Sequence, residues 1–415
     1  MTHSSTTTAM PAPDPGPSVL KPKPPEPPRR MASIDAFRGL VMFLLLAEFL
    51  KLSQVAKAFP KSELWALLSR HQSHVEWFGC SLHDLIQPGF SFLVGVALPF
   101  SIAARLARGQ SWAWMSAHAF WRALVLILLG IFLRSMGKEQ TNFTFEDTLT
   151  QIGLGYGFLF LLGLRPARDQ WIALVVILVG YWGAFALYPA PTEEFDYAEV
   201  SVPASWDHHR EGFASHWNKN SNLASAFDSW FLNLFPRESP FVANKGGYAT
   251  LSFIPTLATM ILGLLAGGVL RGPFKGWQKV GWFLVAGILG LFLGAALGEL
   301  DFCPVVKRIW TPSWTLFSGG WCFLILAFFY AIVDLGGLWW LAYPLIVIGT
   351  NSIAAYLLHW VAEDFITDNL RTHFGPGVFQ VFGEPYAPLV QGTAVLIVVW
   401  LILFWMYQRK LFIKI

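Results

Sequence analysis

From Ala32 onward, apolar windows recur that are each long enough to cross a ~30 Å hydrocarbon layer as a helix. They fall near residues 32–50, 85–104, 117–135, 148–164, 170–189, 248–270, 280–298, 313–333, 341–360 and 389–408. Inside lipid, every backbone N–H and C=O must find its partner within the protein, which a helix supplies from its own segment. The expected fold is therefore all-α, a polytopic membrane bundle of about ten transmembrane helices. Composition agrees, because 54% of the residues are hydrophobic and only 13% are charged, too apolar for an ordinary soluble core. The net charge of +3 is small and dispersed, so no basic stripe argues for nucleic acid. The lipid bilayer is the expected surrounding.

Residues 1–31 are rich in Ser, Thr and Pro and cannot bury enough surface to fold, so they read as a disordered cytoplasmic tail. No apolar run precedes a cleavage site there, and the first hydrophobic segment is expected to stay as an anchor. An even number of spans puts both termini on one side. With that side inside, sixteen of the twenty-nine Lys and Arg fall in inner segments, whereas the other thirteen are spread through longer outer loops. The bias makes both termini cytoplasmic. The outer segment at about 190–247 is long, polar and aromatic, the kind of loop that often serves as a lid or binding surface. Its His208, His209 and His216 lack a carboxylate spacing that would complete a metal site. No metal is expected. Cys80, Cys303 and Cys322 cannot all be paired, and their spacing suggests no metal ligation.

Charged residues beside apolar windows are costly and invite a functional reading. Asp35 and Arg38 open the first window at three-residue spacing, so they share a helix face and can pair. Glu48 falls near the other end of that window, on the side where His74 should lie. The stretch "HVEWFGCSLHDLIQPGF", residues 74–90, carries two histidines and Asp84 around a turn leading into a helix expected to break at Pro88. A carboxylate beside an imidazole fixes its tautomer and raises its basicity, the usual requirement of a general base. Asp84 could equally cap a helix. By spacing alone, either His74 or His83 could be the reactive one.

The same stretch resembles the signature of the heparan-α-glucosaminide N-acetyltransferase family of transmembrane acyltransferases: His, two residues, Trp, one residue, Gly, four residues, Asp, three residues, Pro. In that pattern the leading histidine is catalytic, which selects His74, and its partner is Asp84; His83 falls on a variable position. The likeness continues in order through "SIDAFRGL", "TLTQIGLGY" with Gln151, "KRIWTPSWTLFSGG" with Lys307, Trp310 and Ser313, and "GTNSIAAYLLHWV" with Asn351, Ser352 and His359. The chain departs from the pattern at Ile152, which replaces an arginine, and at "NKGGYATLSF", which replaces an Asp-Pro-Glu-Gly element. Glu48 and Phe49 stand where the family carries an active-site asparagine. The large luminal domain of the animal enzyme is expected to have no counterpart.

The resemblance implies a transmembrane acyltransferase domain over residues 32–415, taking acetyl-CoA from the cytoplasm and delivering the acyl group to an amino sugar or other glycan outside. His74 would act as base, or carry the acyl group briefly as an acyl-imidazole. Asp84 would orient it, while Asn351, Ser313 or Gln151 could donate to the oxyanion. Glu48, Trp77, Lys307, Trp310, Ser352 and His359 complete the expected substrate-binding set. Arg105, Arg108 and Arg122 form the nearest inner basic cluster and could meet the CoA phosphates, although they also satisfy the positive-inside rule. A homodimer and a bacterial inner (plasma) membrane setting are further implications. A multi-pass transporter of a small polar or sugar-like substrate is the alternative, which would favour inverted repeats and discontinuous helices. A membrane assembly subunit without catalysis is a third.

Overall fold

The computed structural model describes residues 31–413. Apart from Met31, the expected tail over 1–31 lies outside the described residues, as does Lys414. Helices α1 (Ala32–Leu46), α2 (Leu52–Ala58), α3 (Glu63–His71), α4 (Ile86–Ala107), α5 (Trp112–Ser135), α6 (Thr148–Gly163) and α7 (Ala167–Leu187) build the first half. The second half holds α8 (Leu223–Phe231), α9 (Phe253–Arg271), α10 (Gly276–Glu299), α11 (Pro312–Phe329), α12 (Tyr343–Thr350), α13 (Ser352–Phe374) and α14 (Ala387–Gln408). The fold is a polytopic helical bundle, and the protein is an integral, multi-pass membrane protein.

All ten expected windows fall on helix, but they do not all form simple spans. Among the described residues, seven helices are long and apolar enough to cross a membrane, and two further spans are bent pairs. The first pair turns by 42° between Leu50 and Leu52, where Lys51 takes a left-handed backbone (φ 48°). The second turns by 84° at Asn351, between α12 and α13. The remaining window, 148–164, became α6, which is apolar but only 16 residues long. Pro88 does not break α4, because it sits in the first turn, where its missing N–H has no intrahelical partner to lose.

Close helix contacts rest on glycine. A Cβ on Gly95 of α4 would stand 1.9 Å from the Met260 carbonyl oxygen of α9, and one on Gly263 of α9 would stand 1.9 Å from that of Phe92. These two positions let the backbones of α4 and α9 touch, the usual device where lipid supplies no hydrophobic push between helices. As a result α9 is the most enclosed span, whereas α5, α7, α10 and α14 expose apolar faces such as Phe120, Val176, Phe292 and Trp405. Those faces are suited to lipid.

The long segment at about 190–247 is ordered by its own short helix. Asn222 caps α8 by accepting from the N–H groups of Ala224 and Ser225. Nearby, the Asn220 side chain donates to the carbonyls of Val200 and Asn244. Trp77 and Trp217 join Tyr181 and Phe185 of α7 in one apolar cluster beneath it. Its histidines diverge: His208 pairs with Glu76 at 3.2 Å, His209 packs on Tyr197, and His216 lies beside Phe213. All three cysteines are free.

Candidate active site

The site is assembled where two loops run side by side. Phe78 and Val306 form an isolated antiparallel bridge, and the Gly79 N–H donates to the Val305 carbonyl at 3.1 Å. Arg308 fastens a third segment: its guanidinium donates to the carbonyls of Val75 (3.1 Å) and Gly246 (2.7 Å) and lies over the Tyr248 ring. This arrangement carries Lys307 onto Asp84 from 223 positions away.

Asp84 is fully buried and draws five donors. One oxygen faces His74 Nδ1 at 2.8 Å and accepts from Lys307 Nζ at 3.1 Å. The other accepts from the N–H groups of Val75 (3.2 Å) and Ser81 (3.0 Å) and from the Ser81 hydroxyl (2.9 Å). So many donors hold the carboxylate ionised and immobile. Lys307 Nζ also lies 3.0 Å from His74 Nδ1. Carboxylate, imidazole and ammonium thus meet at one point.

His74 keeps 37% of its side chain accessible, and the ring lines a cavity of about 510 Å³. Burial of the rest of the ring pulls its pKa down to about 4; the Asp84 hydrogen bond works in the opposite direction and the Lys307 charge adds to the fall. The imidazole is therefore neutral at ordinary pH and able to accept a proton. Cys80, which neighbours the same carboxylate, is pushed up to about 12 by burial and then by the Asp84 charge. It is an inert thiol.

Across the ring of His74 lies a second group of ionisable side chains. The His83 ring packs tilted at 51° with 4.5 Å between ring centroids, and its Nε2 is 3.0 Å from a Glu48 oxygen. The other Glu48 oxygen is 3.5 Å from His359 Nε2. Tyr248 from the long segment and Arg134 from α5 close the cavity wall. At Phe90, Thr148 and Tyr356 this cavity shares its wall with a larger one of about 970 Å³, which runs to the opposite end of the bundle. Arg38, Arg105, His118 and Arg122 line that second cavity, together with apolar side chains of α4 and α5.

Two curated proteins match almost the whole chain. Heparan-alpha-glucosaminide N-acetyltransferase of Homo sapiens is 25% identical over 430 residues, covering 94% of this chain and 60% of the human protein. The Mus musculus protein of the same name is 22% identical over 426 residues, covering 93% and 60%. The chain is related to the heparan-alpha-glucosaminide N-acetyltransferases. It spans about three fifths of the length of the curated relatives it matches. No protein-family model matches it.

Against that N-acetyltransferase relationship, the residues picked from sequence separate into those at the cavities and those that hold the walls. His74, Glu48, Lys307 and His359 line the smaller cavity, while Ser352, Arg105 and Arg122 line the larger one. Arg108 does not; its guanidinium folds back on the Ala104 carbonyl. Trp77 is buried and donates to the Trp217 carbonyl. Gln151 donates to the carbonyls of Phe145 and Thr250 and so ties the start of α6 to the approach of α9. Trp310 closes the turn begun at Lys307 in a left-handed conformation (φ 49°) and donates to Thr259. Ser313 bonds the Pro304 carbonyl. Asn351 lines neither cavity; its side chain is bonded to the backbone of Leu411 and Ile413, behind the Thr350 and Ser352 wall of the larger one. None of Gln151, Ser313 and Asn351 lines the His74 cavity. The sequence reading weighed His83 and set it aside as a variable position, and read Arg38 only as a partner of Asp35; it passed over Tyr248 and Arg308, which no local spacing links to Asp84.

Proposed function

We propose that the protein is a transmembrane acyltransferase that moves an acetyl or other acyl group from cytoplasmic acyl-CoA to an amino-sugar or glycan acceptor on the outer side. The single observation that carries this reading is His74, held at 2.8 Å by a buried carboxylate and opening on a cavity. In this reading the donor approaches it from the larger cavity, across the shared wall of Phe90, Thr148 and Tyr356. Arg38, Arg105 and Arg122 would meet the phosphates, and the apolar stretch of the larger cavity suits a pantetheine arm that passes Phe90 and Tyr356 toward His74. The basic end would then be cytoplasmic and the His74 end outer, which agrees with the charge bias of the sequence.

With Nδ1 donating to Asp84, the ring turns its Nε2 lone pair toward the cavity. From there it can take a proton from an acceptor as the acceptor attacks the thioester carbon, then return that proton to the departing sulfur. Attack by Nε2 itself, giving an acyl-imidazole, uses the same geometry. Lys307 stands beside the ring as a fixed positive charge, placed to keep the imidazole unprotonated between turnovers. Tyr248, Arg134 and Lys307 are among the donors that line the cavity, and in this reading they take the place of Gln151, Ser313 and Asn351 as candidates for the oxyanion.

The test is to supply labelled acetyl-CoA to the basic side of reconstituted protein and offer glucosamine-ended saccharides at the His74 side. A product heavier by one acyl group supports the reading, and saccharide uptake into liposomes without acylation would replace it with the transporter. The rate should hold as pH falls through 6 and 5 and drop only as pH passes about 4, because the neutral form of His74 is the base and its pKa lies near 4. A pH–rate profile with its acid limb near 6.5 would contradict this. Arg105→Ala with Arg122→Ala should raise KM for acetyl-CoA about a hundredfold or more with kcat nearly kept, since each of the two lost charge-assisted contacts is worth about 1.5–3 kcal/mol. Initial-rate kinetics at fixed acceptor will decide it.

A further inference from the structure

Resting on the acyl-transfer reading, we propose that Glu48, held between His83 and His359, docks the acceptor as an ammonium ion and takes its first proton, so that the site is built for an amine and not for a hydroxyl. The geometry is that of a receptor for a cation. The carboxylate keeps 39% of its side chain accessible, whereas His83 and His359 keep 7% and 16%. Every group that faces it belongs to the cavity: His83 from the turn before α4, His359 from α13, and His74 from the loop. Arg134 of α5, Glu146 and Asp147 before α6, and Lys307 stand around the same wall. The nearest lysine in sequence, Lys51, is drawn away to Glu363 at 2.6 Å. Imidazoles, and no fixed cation, are therefore the direct partners of Glu48. Beside it, the buried Nδ1 of His359 has no partner, a polar atom that a bound ligand can satisfy.

Proton balance gives the cluster its task. A hydroxyl acceptor has one proton to lose, which His74 can pass to the sulfur, so His74 alone would suffice. An amine arrives as R–NH₃⁺ and must lose two. The first N–H proton goes to Glu48, which frees the nitrogen lone pair to attack the thioester carbon. The N–C bond forms, the carbonyl π pair moves onto oxygen, and His74 takes the second proton. As that pair returns, the C–S bond breaks and the thiolate collects the proton from His74. One proton remains on Glu48 and leaves to water. His83 links the two proton acceptors, its Nε2 3.0 Å from Glu48 and its ring 4.5 Å between centroids from that of His74, so both acceptors face one bound nitrogen from the same cavity.

The experiment uses the full chain in nanodiscs, a glucosamine-ended saccharide and its glucose-ended counterpart, with binding read by saturation-transfer NMR at pH 6.5. Wild type should bind the amine at least about tenfold more tightly than the hydroxyl analogue, the worth of one charge-assisted contact. Glu48→Gln should abolish the preference while binding of labelled acetyl-CoA, which reports an intact fold, is kept. In acetylation assays between pH 6 and 7, wild type should show a flat kcat/KM. The Gln variant, which needs the free amine, should lose about tenfold in kcat/KM per unit as pH falls, the signature of one proton; a purely structural role would lower kcat/KM equally at both pH values. His83→Gln should fall between the two. Equal binding of the two saccharides by wild type, or a preference that survives in Glu48→Gln, overturns the proposal. A preference for the amine without any acyl transfer leaves the ammonium site standing and sinks the transferase reading instead.

Discussion

His74→Gln is expected to lower acyl transfer by about 10²- to 10⁴-fold, the usual contribution of a positioned general base. Glutamine retains an N–H that can reach Asp84, so the fold should survive. What disappears is the lone pair facing the cavity. If the chemistry proceeds through an acyl-imidazole, the loss is larger, because the carrier itself is gone, and rapid quenching of wild type with labelled acetyl-CoA will trap label on the protein. A variant that turns over within threefold of wild type would remove the ring from the mechanism.

Asp84→Asn should damage stability and rate together. An amide has one acceptor oxygen for a site that supplies five donors, two of them on cationic or imidazole groups. Lys307 would remain as a buried ammonium without its counter-charge, and breaking a buried pair by removing one partner costs about 3–5 kcal/mol. Thermal unfolding in detergent should show the loss. Lys307→Met added to Asp84→Asn should recover much of the stability, since two uncharged groups can share a dry site, yet it should leave the rate low. Recovery of rate with stability would mean that the carboxylate matters only for folding.

Much of the fold was legible because lipid imposes a length and an apolarity that few other environments demand. The windows therefore located the helices, but not their bends. The 84° turn at Asn351 depends on a side chain captured by the backbone of residues 411 and 413, and no local pattern announces a partner so far along the chain. The same limit governed the site. His74 and Asp84 are ten residues apart on one loop, within reach of a motif, whereas Glu48 reaches His83 and His359 from a different helix. Asn351 and Trp77 carried the resemblance as strongly as His74 did, and the structure places them in helix junctions and loop packing. A shared motif marks residues that resist change. It does not say whether chemistry or architecture is the reason.

The pairing of Asp84 with Lys307 also bears on how the protein comes to exist. A ribosome delivers the carboxylate early, with α4, and the ammonium only after six further helices have followed it. Until then, an acid belonging at the dry edge of the bundle has no cation to meet it. Membrane integration must therefore keep the 74–84 turn hydrated through most of synthesis, and a chain that stops short of α11 would leave the translocation machinery unable to seat the beginning of its own active centre.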